Sequence, residues 1–354
     1  MFPEWTCLIG FWIGAAVGSF LNVVIYRLPR GLSVSKPRNS FCPNCKHQLT
    51  GIDLIPLVSW LVLGRKCRHC KTAVSSRYFW VELINGVLWG WIWWLHLSAP
   101  SLAMPGTVGA LNIADPVRAV ALMLFASALV AAIFTDLAHY IIPDQVNAFM
   151  LIVGLGMNVA MIVQGRPEAW TWGMPSAVAG ALTGIAVIWG IAFLGRIFFR
   201  KDAMGHGDIK MARGIGAVLF PMMAVLSFGV AVLFGAVFGL TVVALRAAGR
   251  VKDPPDEDED LEPYEPESIG SLLKCGLGYV LCMDCLGLIW PKLYEWWFQE
   301  DPYAVEEFEE DPVVELTVIP FGPHLAAGAL VAVLFESQLR SLVDLYIRSN
   351  FPSK

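Results

Sequence analysis

Long apolar runs recur along this chain at lengths near 20 residues, and no other feature restricts its fold as much. An α-helix needs about 20 apolar residues to cross roughly 30 Å of hydrocarbon, since each residue advances it about 1.5 Å. In that medium every backbone N–H and C=O must be satisfied internally, so runs of this length select helices. About eight are readable, near residues 6–26, 78–98, 117–136, 145–163, 174–195, 209–221, 222–245 and 320–340. Only 16% of the residues are charged, against about 25% in soluble domains. The expected fold is an all-α polytopic membrane protein with about eight transmembrane helices.

The first run follows Glu4 rather than a basic segment and lacks a small-residue cleavage site, so it reads as a retained helix and not a signal peptide. The sixth is short, which makes 209–221 and 222–245 a broken or tightly turned pair.

Charge sets the orientation. Residues 27–77 carry Arg27, Arg30, Lys36, Arg38, Lys46, Arg65, Lys66, Arg68, Lys71 and Arg77 against one acid, Asp53. The positive-inside rule makes this loop cytoplasmic. Alternation then places the N-terminus, 99–116 and 164–173 outside, with 137–144 and 196–208 inside, where Arg196, Arg200 and Lys201 agree. Residues 253–315 are acidic at both ends and read as a solvated cytoplasmic insertion. Between those ends, 269–290 is long enough to span, but Lys274 and Asp284 are costly at bilayer depth, so a packed or interfacial amphipathic segment is expected.

Two CxxC hooks lie in the basic loop, Cys42 with Cys45 and Cys67 with Cys70, separated by 21 residues. Such hooks fold over one tetrahedral zinc, and a reducing cytoplasm disfavours disulfides between them. Four thiolates leave no open coordination position, so the zinc would be structural, stapling a loop too small to hold a core. His47 and His69 are then surface residues. Cys282 and Cys285 form a lone CxxC in an apolar stretch and, with Cys7 and Cys275, read as inert buried thiols.

Two aspartates stand at helix ends on the side assigned to the cytoplasm: Asp136, closing the run that begins near residue 117, and Asp208, in "GHGDIK". Carboxyls on different helices at one depth can meet, share a proton and act as general base and general acid. The competing reading makes Asp136 a plain interfacial residue and Asp208 a helix N-cap. Asp144, after Pro143, is the better N-cap.

At these residues the chain resembles the type IV prepilin peptidases, membrane aspartic peptidases of the GxGD class. "GSFLNVVIYRLPRG" at 18–31, the two hooks with "LTGIDLIPLVSWLVLGRKC" between them, "SSRYFWVELINGVLW" at 75–89, "TDLAHYIIPD", "GHGDIK" and "IPFGPHLAAGALVAVL" at 319–334 carry the resemblance. It implies an Asp136 and Asp208 peptidase dyad that removes the basic leader of prepilins and type II secretion pseudopilins at the cytoplasmic face. It also implies N-methylation of the new N-terminal residue from S-adenosylmethionine, with donor-binding residues unknown. The implied location is the bacterial inner membrane, with the bilayer and prepilins as partners and no nucleic acid.

The corresponding division is helix 1 at 1–26, a zinc-binding loop at 27–77, a peptidase core at 78–250, an acidic insertion at 251–318, and a last helix with tail at 319–354. Within it, Glu82 is expected to pair with Arg77, and His206 either tunes the protonation of Asp208 or points to solvent. The acidic residues 253–267 are a solvated linker or, less favoured, an attractor of basic leaders. The rival functions are a peptidase without methyltransferase activity, a proton-coupled transporter, and a non-enzymatic pilus assembly factor.

Overall fold

The computed structural model describes residues 2–37, 39–42, 44–98, 115–200, 204–249, 268–299 and 320–350. The acidic runs expected to form a solvated insertion lie outside the described residues. Twelve α-helices are described: α1 Cys7–Arg27, α2 Val58–Val62, α3 Ser76–Trp93, α4 Pro116–His139, α5 Asp144–Val163, α6 Ser176–Phe199, α7 His206–Ala247, α8 Ile269–Val280, α9 Met283–Gly287, α10 Pro291–Phe298, α11 Gly322–Leu334 and α12 Glu336–Asn350.

Among the described residues five helices are long and apolar enough to cross a membrane, or six if α11 and α12 form one bent span. The eight runs read from sequence map onto the described helices with three differences from that set. α3 forms where expected, but Arg77, Glu82, Asn85 and its glycines dilute its apolar character. Residues 206–247 break at a kink, where Phe220 takes the non-helical φ 63° and ψ 169° ahead of Pro221, so 209–221 and 222–245 are two helical stretches in tight succession. Proline has no N–H and disfavours a helical conformation in the residue before it, so the broken pair read from sequence has a local cause. The last run stops at Phe335, where α12 departs from α11 by 84°.

Contacts divide the described chain into two compact units, one ending at Thr135 and the other beginning at Asp136, within α4. In the first, α1 meets α3 through Gly10, Gly14 and Gly18, four residues apart on one face. A Cβ on Gly14 would lie 2.5 Å from Trp89 Cβ, and one on Gly18 would lie 2.7 Å from the Glu82 backbone. Small residues permit this approach where lipid supplies no hydrophobic drive between helices. Asn85, fully buried, joins three helices: its Nδ2 donates to Gly14 O at 2.6 Å and its Oδ1 accepts from Ser127 Oγ at 2.9 Å.

In the second unit α7 is central, packed against α5, α6 and α11. Gly180 of α6 and Gly216 of α7 touch backbone to backbone, and a Cβ on either would overlap the other's carbonyl oxygen. A two-residue antiparallel pairing, Trp170–Thr171 with Met174–Pro175, precedes α6. The segment 269–290 holds no helix long enough to cross a membrane: it folds as α8, α9 and the approach to α10, burying Leu272, Tyr279 and Asp284 while Leu277, Leu281 and Ile289 stay exposed. This is the packed amphipathic arrangement expected.

Candidate functional site

Asp208 is the third residue of α7. Gly205 is the N-cap in extended conformation (φ −72°, ψ 147°), so Asp208 is not the cap that one sequence reading allowed. Its backbone N–H donates to Gly205 O at 3.2 Å, and its Oδ2 lies 3.5 Å from where a Cβ on Gly205 would stand. The half-buried carboxylate sits in the first helical turn, where the macrodipole favours negative charge.

Asp136 lies in the last turn of α4 and is 4% exposed. The two carboxyls stand at one end of the unit, bridged by residues that touch both neighbourhoods. Two residues that sequence reasoning did not select complete this end of the unit. Ile142 packs on Gly207, 3.4 Å from where its Cβ would be, and on Gly322, 2.9 Å from where its Cβ would be. A Cβ on Gly322 would also overlap Asp136 Oδ2. Asp136 Oδ2 is buried with no hydrogen-bond partner among the described residues. An unsatisfied buried carboxyl oxygen is costly, which sets this atom apart from the hydrogen-bonded polar groups around it.

Other expectations change. Asp144 is not an N-cap: Pro143 holds that position, and the Asp144 carboxylate instead takes Lys210 Nζ at 2.8 and 2.9 Å. Glu82 does not pair with Arg77. It is buried and accepts the Leu57 backbone N–H at 2.7 Å, tying the cysteine loop to α3. His206 accepts or donates at Nδ1 to Tyr279 Oη at 2.7 Å.

The cysteine loop contains two matching turns. Cys42 N–H donates to His47 O and Lys46 N–H to Cys42 O, both at 2.9 Å. Cys67 N–H donates to Thr72 O at 2.9 Å and Lys71 N–H to Cys67 O at 3.1 Å. Lys46 and Lys71, each following the second cysteine of its hook, are left-handed at φ 57° and 60°. The two turns bring all four Sγ atoms within 4.8 Å of one another. A tetrahedral ion with metal–sulfur bonds of about 2.3 Å spaces its thiolates by about 3.8 Å, so this cluster can hold a metal ion. His47 and His69 lie against one another, ring centroids 3.5 Å apart and planes tilted by 33°, outside the four-sulfur group. Hydrogen bonding with Thr72 holds the Cys70 thiol down to about 5. At Cys45 a backbone bond at His47 favours the thiolate, but desolvation and the other three thiols push it up to about 11. Asp53 joins the stretch between the hooks to the second hook: the Thr50 hydroxyl and Arg68 guanidinium hold its carboxyl down to about 2.

Comparison with known proteins follows the same division. Residues 12–96 match the family described as bacterial peptidase A24 N-terminal domain, and residues 123–240 match the type IV leader peptidase family. A Myxococcus xanthus protein named prepilin leader peptidase/N-methyltransferase is 33% identical over 92% of this chain and 88% of its own length. Proteins of the same name from Aeromonas salmonicida (31% identical, 69% and 84% covered) and Stutzerimonas stutzeri (30%, 67% and 81%) are also similar. No solved structure matches the chain significantly.

Proposed function

Because the chain belongs to the type IV leader peptidase family, we propose that it is an integral membrane enzyme that removes leader peptides from type IV prepilins and type II secretion pseudopilins with Asp136 and Asp208. The observation that carries the assignment is the buried Asp136 Oδ2 that no described protein group satisfies, at the end of the unit where Ile142 packs on both Gly207, beside Asp208, and Gly322, beside Asp136.

One carboxyl is ionised and the other protonated. The ionised group takes a proton from water as that water attacks the scissile carbonyl, and the protonated group delivers a proton to the leaving amine as the C–N bond breaks. The substrate's apolar helix lies in the bilayer and its basic leader in the cytoplasm, which puts the scissile bond at the membrane surface. The ten-cation loop 27–77 supports that orientation.

The metal is zinc, held by Cys42, Cys45, Cys67 and Cys70, and its role is structural because four thiolates close its coordination shell. N-methylation of the new N-terminus is the second activity, supported by the names of the relatives. S-adenosylmethionine is the donor, and no residue is assigned to it.

The test is mass spectrometry of a co-expressed prepilin's mature N-terminus with Asp136→Ala or Asp208→Ala enzyme. Leader removal should fall at least about 10³-fold in each, and near-normal processing by either variant overturns the dyad. The mass of the mature end reports methylation in the same spectrum. A transporter would require carboxylates deep within helices, whereas Asp136 and Asp208 both occupy terminal turns.

A further inference from the structure

The helices of the insertion do not hang from the membrane unit. They grip one face of the helix that carries Asp208. His206, Lys210 and Arg213 stand four and three residues apart on α7 and therefore share a face. Each of them binds the insertion. Tyr279 Oη of α8 meets His206 Nδ1 at 2.7 Å. Lys210 Nζ, already paired to Asp144, reaches Tyr294 Oη of α10 at 3.4 Å and stands over the rings of Tyr279, Tyr294 and Phe298. Arg213 forks onto Asp284 of α9, with Nη1 on Oδ1 at 2.8 Å and Nη2 on Oδ2 at 2.5 Å, and Nη1 also donates to Tyr279 O at 2.8 Å.

Tyr279 is thus held at both ends, its carbonyl by Arg213 and its hydroxyl by His206, and it is 2% exposed. α8 is pinned in turn by Trp189 of α6, whose Nε1 donates to Leu272 O at 3.1 Å, and α10 closes on it through Trp297 Nε1 to Lys274 O at 3.2 Å. Asp208 is two residues beyond His206, about 200° around the helix at 3.6 residues per turn, so the insertion grips the face opposite the dyad. That geometry lets it fix the first turn of α7 without entering the substrate path.

We propose that the insertion Ile269–Phe298 sets the position of Asp208, and that Tyr279 is the positioning residue, acting through His206. This rests on the reading of Asp208 as a peptidase residue. A first helical turn is the part most prone to fraying, because its N–H groups lack intrahelical partners. The cap here is Gly205, which has no side chain and so makes no side-chain capping bond. The Tyr279–His206 bond supplies from outside the restraint that a capping side chain would supply from within. Small displacements of a catalytic group cost up to about 10²-fold in rate, so the restraint should appear in kcat.

The experiment uses full-length enzyme in detergent or nanodiscs with a synthetic prepilin. Tyr279→Phe keeps the buried ring and removes only the hydroxyl. It should lower kcat about 5- to 30-fold with KM within twofold. His206→Ala should do the same, the double variant should be no worse than the poorer single, and His206→Gln, which can still bond the hydroxyl, should recover part of the loss. Asp208→Asn is measured alongside. If it is inactive while Tyr279→Phe matches the wild type, the positioning role is overturned and the dyad stands. Active Asp208→Asn overturns the dyad reading itself. Additive losses in the double variant overturn the route through His206.

Discussion

The Asp136 carboxylate occupies the place where the side chain of residue 322 would begin. A Cβ on Gly322 would overlap Oδ2 and lie 3.2 Å from Cγ. The first residue of α11 therefore contributes room, and the carboxylate of α4 fills it. Gly322→Ala should push Asp136 aside or hold α11 away. Leader cleavage should drop about 10- to 100-fold while the melting temperature changes little. Steady-state kinetics on a prepilin peptide checks this, and unchanged kcat would mean that the carboxylate moves freely.

Much of this arrangement was legible beforehand, and the limits are physical. α4, α5 and α6 announce themselves because lipid demands apolar length, and the hooks do so because a tetrahedral ion demands paired thiols. Asp136 and Asp208 could be matched by depth alone, since each closes or opens an apolar run. What sequence did not yield were partners set by tertiary contact. Asp284 looked too costly for its apolar surroundings because its counter-ion, Arg213, is 71 residues upstream. Glu82 had an apparent mate five residues away in Arg77, but five residues turn the two side chains onto different faces, and a backbone N–H of the cysteine loop took the carboxylate. Gly322 lies in the quoted stretch 319–334, but it carries no chemistry of its own and nothing in the sequence tied it to Asp136. The face formed by His206, Lys210 and Arg213 was readable in principle, as three cationic-type side chains at helical spacing in an apolar helix.

The four-sulfur cluster predicts one zinc per chain by elemental analysis. Loss of a group that hydrogen-bonds a metal ligand costs about 10- to 100-fold in affinity, and loss of a direct ligand costs more. Cys67→Ser should therefore weaken zinc retention against a chelator by more than about 100-fold. Asn44 Nδ2 lies 3.7 Å from Cys70 Sγ and donates to Thr72 Oγ1 at 2.6 Å, so Asn44→Ala should cost about tenfold or less. Equal losses in both variants would exclude Cys67 as a direct ligand.

Asp53 gives the same loop a pH signature. Its carboxyl is held near 2 by Thr50 and Arg68, below the usual value of about 3.9. A lowered carboxyl stabilises above its unfolded value, and that contribution fades only as pH falls from about 4 toward 2. Asp53→Asn should speed zinc release about two- to fivefold, the scale of a pair open to solvent on one side, since the Arg68 side chain is 46% exposed and that of Asp53 3%. The ratio of variant to wild-type rates should stay flat from pH 6 to 8. A ratio that changes across that range would point to another titrating group.

The Arg213 and Asp284 pair is buried at both ends, with side chains 1% and 2% exposed. Removing one partner of such a pair strands the other charge, at a cost of about 3–5 kcal/mol, whereas replacing both by apolar groups of similar volume is often near neutral. Asp284→Ala should lower the melting temperature in detergent sharply, and Arg213→Met with Asp284→Leu should restore most of it. The double variant also separates two roles of the insertion. Arg213 anchors the Tyr279 carbonyl as well as Asp284, so a chain whose stability has recovered should still lose kcat if the insertion holds the first turn of α7. Recovery of both together would assign the ion pair to folding alone.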